Sequence, residues 1–288
     1  EFPDRYIGTL AYQYTRKPPR HLVPRDNVII RLCSIECAFS HNLEDERSER
    51  NRTFVSDIVA WQKKAISLFI WDYTTNFSHY HQPFPNLRSL KPNIEFFVGH
   101  GVRGIFEQGN YTGTGGGEMG ELRAYLLARF LWNPERDYES ESTEFLEGYY
   151  GPAAPHIRDY IDFAHDRARK QDHFIGLGYP PTGEYFQGDF ILKAHGFLDA
   201  AERAVGDDPE LLRRVRKLRL PILYVEAKNS LAKHGIRDEG ERVELPPDTK
   251  AIFEKFFSLA AEYNISHMSE GTPMDRARER YGFGPANP

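Results

Sequence analysis

Sulfur is scarce: the 288-residue chain carries two cysteines, Cys33 and Cys37, and three methionines. A single cysteine pair four residues apart lacks the second pair a zinc site needs, so two buried thiols are expected, with a local disulfide as the other option. No apolar run approaches the length that crosses a bilayer, so no membrane segment is expected. Excess positive charge is missing too. With 37 Lys and Arg against 42 Asp and Glu, the net charge is -5, which argues against a nucleic-acid partner. The one basic run, Arg213 to Arg219, alternates with apolar residues and reads as the wet face of an amphipathic helix. There is no phosphate loop, no dinucleotide fingerprint and no solenoid repeat, and no cofactor is expected. His79 and His81, two apart in a loop, make a poor zinc signature, and His41 has no partner at ligand spacing, so no metal is assigned.

Aromatic residues, by contrast, are abundant, with 16 Tyr and 20 Phe. Rings suit sugar stacking and thick helix-packed cores equally. Four sequons, at Asn51, Asn76, Asn110 and Asn264, matter only in a eukaryotic secretory pathway. The chain opens without Met almost directly in a strand, so further residues upstream are expected.

Hydrophobic pattern organises the first half. Tyr6 to Thr15 reads as a strand stopped by Lys17-Pro18-Pro19, with Tyr12 and Tyr14 on one side. Val28 to Cys33 is nearly continuously apolar, as a buried parallel strand should be, and Arg31 within it calls for a carboxylate or a ligand oxygen. Phe54, Ile58, Trp61 and Ala65 predict a helix over 53–66 capped by Thr53. Leu68 to Trp71 and Val102 to Phe106 supply two more strands, separated by a helix over 87–99. The glycine-dense stretch before Glu118 suggests a flexible lid or a tight turn. Strands alternating with helices predict parallel α/β packing. Four strands amount to a small open sheet or to the C-terminal half of a (β/α)8 barrel.

From Leu122 onward the periodicity is helical, with helices over 143–149, 190–205, 209–234 and 248–263 and a peripheral tail. The division expected is a partial β/α barrel over 1–135 and an α-helical lobe over 136–288. Tyr149-Tyr150-Gly151 is expected to dock the lobe by a tight turn, and Tyr185 and Phe186 to pack between the two parts.

Two strands end on acids: Asp72 between Trp71 and Tyr73, and Glu107 before Gln108. Ligands bind at the carboxyl ends of parallel strands, so these acids are the candidate catalytic pair. Glycosidic cleavage asks for one acid to protonate the leaving oxygen and a second group at the anomeric carbon. Glu107, raised beside Phe106, would be the acid, and Asp72 the nucleophile or the orienter of an N-acetyl group. The spacing of about 5 Å between neighbouring strands is compatible with retention. Tyr12, Tyr14, Trp71 and Tyr73 would stack on sugar or donate hydroxyls, Gln108 would bind substrate, and Glu36 is a secondary candidate just past a strand. Helix caps or ordinary loop acids are the structural alternative.

The succession LAYQYT, KPP, NVIIRLCSIECAFSH, IWDY, PFPNL, GVRGIFEQG, GGEMGELRAYLLARFLWNP and FLEGYYGPAA resembles the bacterial, glycoside-hydrolase-like domain of unknown function 4838 family. The resemblance implies a barrel related to α-glucuronidases and hexosaminidases. Some similar proteins are endo-β-N-acetylglucosaminidases of glycoside hydrolase family 163. It also implies a carbohydrate partner, glycan breakdown, a periplasmic or secreted location and a front half of the barrel preceding LAYQYT. A general acid in that half would leave Asp72 and Glu107 as sugar-binding residues. A non-catalytic carbohydrate-binding or degenerate barrel is the alternative to an enzyme.

Overall fold

The computed structural model describes residues 4–112, 117–238, 240 and 242–284. Its sheet has four parallel strands in sequential order: β1 (Ile7–Ala11), β2 (Val28–Cys33), β3 (Ser67–Tyr73) and β4 (Val102–Gln108). Helices α1 (Glu49–Gln62) and α2 (Leu87–Gly99) make the crossovers from β2 to β3 and from β3 to β4. This is the mixed α/β architecture that the alternation predicts, with an open parallel sheet.

Several boundaries moved for local reasons. The first strand stops at Ala11, and Gln13–Thr15 turn into a 3-10 helix with Gln13 at φ 50°, so Tyr12 and Tyr14 do not share a strand face. Helix α1 begins a turn earlier than Thr53 because Ser48 accepts from the Asn51 N–H, while Thr53 donates back to the Glu49 carbonyl inside the helix. β3 and β4 each run two residues further than their apolar cores. The pairs Asp72↔Glu107 and Tyr73↔Gln108 therefore lie within the ladder.

The remaining helices are α3 (Gly120–Trp132), α4 (Tyr138–Tyr150), α5 (Ala154–Lys170), α6 (Phe190–Val205), α7 (Pro209–Lys217), α8 (Arg219–Lys233), α9 (Pro247–Glu262) and α10 (Met274–Arg280). The single helix expected over 209–234 is broken at Leu218. Only Arg213 and Arg216 of the basic run are exposed; the partly buried Arg214 reaches Glu210, Lys217 reaches Glu121, and Arg219 reaches Asp199 and Glu202. Gly151, at φ 53°, makes the expected turn at the end of α4. Tyr185 and Phe186 are fully buried, as packing residues should be.

The two faces of the sheet differ. Ile30, Leu32, Leu68 and Ile70 are buried and share one hydrophobic cluster with Phe54 and Ile58 of α1 and Ile94 and Phe97 of α2. By the period-two alternation, Leu10, Arg31, Phe69, Trp71, Gly104 and Phe106 lie on the opposite face. That face is open, with Leu10 and Phe106 each 49% exposed. Arg31 is half-buried there, 5.9 Å from the Trp71 ring, with no carboxylate partner among the described residues.

The tail is not peripheral. A short hairpin, β5 (His267–Ser269) with β6 (Thr272–Pro273), holds the loop after β3: the Tyr80 N–H donates to the Met268 carbonyl and the Glu270 N–H to the Phe77 carbonyl. His81 Nε2 lies 2.9 Å from the His267 carbonyl and His79 Nδ1 2.7 Å from the Tyr224 hydroxyl, so the two histidines tie the loop to β5 and to α8. Asn51 and Asn76 are fully buried, and neither sequon could carry a glycan in the folded protein. Cys33 and Cys37 are free, buried thiols. No described helix is long and apolar enough to cross a membrane.

Candidate active site

The register of β3 against β4 sets Asp72 directly beside Glu107 at the carboxyl edge of the sheet. In-register neighbours of parallel strands point the same way, and here that is the helix-packed side. Asp72 is 6% exposed. Its Oδ1 accepts from the Ser34 hydroxyl, and from the Tyr73 N–H at 2.9 Å. Burial pushes the Asp72 carboxyl up to about 6 despite these two bonds, which pull the other way.

Glu107 reaches further out. It lines a cleft of about 440 Å³ between the β4 end, Thr74 and Thr75 after β3, and Arg123, Ala124 and Leu127 of α3. Desolvation, and then the adjacent Asp72 charge, raise its carboxyl well above the carboxylate range. Phe106 is not the cause, because it points to the open face. Two carboxyls pressed together in a poorly solvated place hold a proton where isolated ones would not.

The cations around this cleft are already matched. Arg123 is buried and donates to the Asn86 side chain at 2.9 Å and to the Glu118 carbonyl at 2.7 Å. Lys217, arriving from α7, pairs with Glu121 of α3. Glu118, just before α3, accepts from the Phe84 N–H and the Tyr160 hydroxyl, joining the loop after β3 to α5. His165 caps α2: the Leu87 N–H donates to its Nε2 at 3.0 Å while Nδ1 faces the Ile161 carbonyl, and burial lowers this histidine to about 3. The loop after β3 is therefore rigidly framed.

The other candidates are placed differently. Trp71 and Gln108 are on the open face, where the indole Nε1–H donates to Gln108 Oε1 at 2.7 Å and the Trp71 ring meets Phe106 edge-on at 5.1 Å. Tyr73 is buried under Phe39 and Phe77. Tyr12 is half-buried on the same side, and Tyr14 is 94% exposed and apart from the rest. Glu36 forms an ion pair with Arg16 at 2.7 Å, and Arg16 is shared with Asp57. The structure thus brings together Asp72 and Glu107 on one face and Trp71 and Gln108 on the other.

Residues 1–162 match the family described as a domain of unknown function, DUF4838. The chain belongs to this family. No curated protein and no solved structure matches it. For this DUF4838 chain, sequence reasoning missed Ser34, Thr74, Thr75, Arg123 and Lys217. Ser34 had a signal, since it stands one residue past β2 in line with Asp72. Lys217 had none, because it lies 110 positions beyond Glu107 and only the packing of α7 near α3 brings it close. Among the described residues no group of three or more His, Cys, Asp or Glu could hold a metal. The centre of the suggested lid, residues 113–116, lies outside the described residues.

Proposed function

We propose that this chain is a glycoside hydrolase, or part of one, in which Glu107 protonates the leaving glycosidic oxygen. One observation carries the reading: Asp72 and Glu107 stand in register at the carboxyl edge of a parallel sheet, one sealed and the other open to a cleft. Glycosidic cleavage needs a carboxyl that keeps its proton near neutral pH. Glu107 has the two causes of that state, desolvation and a neighbouring negative charge. Asp72 is a positioning residue. With Oδ1 engaged by Ser34 and Tyr73 and the side chain closed to solvent, it suits holding the Glu107 proton better than attacking an anomeric carbon. The all-parallel sequential order supports reading the sheet as four consecutive strands of a (β/α)8 barrel. The substrates that the resemblance implies are glycans containing N-acetylhexosamine or uronic acid.

The test is release of reducing ends from a glycan panel by wild type and Glu107→Gln. Loss of turnover by about 10²-fold or more with binding intact is the expected result. Unchanged turnover removes Glu107 from the acid role.

The open face favours a second reading, a non-catalytic carbohydrate-binding domain. Trp71 and the 49% exposed Phe106 present rings beside an amide already oriented by the indole. Under this reading wild type binds glycans by calorimetry without turnover, Trp71→Ala abolishes binding, and Glu107→Gln leaves it unchanged.

A further inference from the structure

We propose that a second cleft, at the end of β2, binds an acidic sugar residue through Arg50. This cleft, of about 560 Å³, lies on the same carboxyl edge of the sheet as Glu107. One wall is the stretch after β2, with Glu36 and Cys37. The other is the lobe segment over 176–180, which includes Tyr179. Carboxyl ends of parallel strands are where such sheets take ligands, so the position is the expected one.

The charge pattern then selects the ligand. Arg50 is exposed, and its guanidinium has no ion-pair or hydrogen-bond partner among the described residues. The cations of the Glu107 cleft differ in this respect: Lys217 is taken by Glu121 and Arg123 by main-chain and amide oxygens. Gly176 leaves room for the guanidinium on the opposite wall, since a Cβ there would stand 3.3 Å from both Arg50 Nη1 and the Cys37 carbonyl. A planar guanidinium fork matches a carboxylate or a sulfate ester.

Hydroxyl recognition is also present. Glu36 gives Oε2 to Arg16, which fixes the carboxylate, and its side chain is still 40% exposed, leaving Oε1 to accept from a ring hydroxyl. A ligand offering an anion and hydroxyls on one small ring is an acidic sugar, whereas a bare inorganic anion would use Arg50 alone. Cys37 does not compete as a nucleophile, because burial raises its thiol well above the usual range.

This proposal rests on the glycan reading for the identity of its ligand, and calorimetry separates the two. The probes are a galacturonate oligosaccharide, a chito-oligosaccharide of equal length and inorganic sulfate, applied to wild type and Arg50→Gln. Arg50 is exposed, so the variant should keep its fold, which circular dichroism checks. The expected result is about tenfold or greater preference of wild type for the acidic oligosaccharide, reduced to the neutral level in Arg50→Gln. Equal binding of both oligosaccharides, or a preference that survives Arg50→Gln, overturns the proposal and leaves the glycan reading standing. If sulfate alone binds, or nothing does, the Arg50 proposal falls, and the glycan reading is decided separately by release of reducing ends from the glycan panel.

Discussion

The two faces of the sheet, one aliphatic and the other largely aromatic, have opposite fates. Ile30, Leu32, Leu68 and Ile70 are sealed under α1 and α2, while Leu10, Phe69, Trp71 and Phe106 look outward from the same strands. Burial on the closed side continues past the apolar residues to the strand ends, and that is what sets the chemistry. Asp72 is the next residue on the Leu68 and Ile70 face, and it inherits their desolvation. On the other side the next positions are Gln108, half-buried, and Tyr73, buried under Phe39 and Phe77, and neither is a carboxyl. A carboxylate is made into an acid here by the face it falls on.

The strongest way to break this comparison is a pair of truncations. Ile70→Ala should cost about 2–5 kcal/mol in urea unfolding, whereas Leu10→Ala should cost less than about 1 kcal/mol. Equal losses would mean that the open face is covered in solution. Next in size is the pH dependence. Asp72 titrates at about 6 in the folded chain against 3.8 when free, so between those values only the folded form keeps the proton. Its contribution to stability is full below about pH 4 and lost as pH rises through about 6. Asp72→Asn should remove the Asp72 share of that decline and leave the Glu107 share, visible in denaturation midpoints measured at both ends of the window. The same variant takes away the charge beside Glu107 and should lower the Glu107 titration, read by carboxyl infrared bands.

Smaller effects sharpen the picture. Ser34→Ala removes a bond that lowers the Asp72 carboxyl, so Asp72 should titrate higher, with about 1 kcal/mol lost in stability. Gly104→Ala brings a Cβ to within 2.2 Å of the Phe69 ring. Because that ring lies on the open side it can swing away, and the cost should stay near 1 kcal/mol by thermal unfolding. A loss of several kcal/mol would show that Phe69 is held by something packed against that face.

The elements were largely legible because each carries its own period. β2 and α2 have the bounds their patterns announce, and Asp72 and Glu107 stood out as polar residues ending apolar runs. Local chemistry moved the edges: Ser48 outcompeted Thr53 as a cap, and Gln13 at positive φ ended the first strand before Tyr14 could join it. The role of Phe106 was misread because adjacency in sequence places a neighbour on the opposite face of a strand.

What the sequence determined by itself is therefore the four strands of the sheet, most of the helices, the parallel order and the presence of two acids at strand ends. These follow from side-chain period and backbone preference, which act over a few residues. Only the tertiary structure decided that β3 and β4 set the two acids side by side, that Ser34 holds one of them, and that α3 and α7 wall the other's cleft. Pairing register and helix docking join residues far apart in the chain. Desolvation, which gives these carboxyls their proton, exists only once those parts have closed around them.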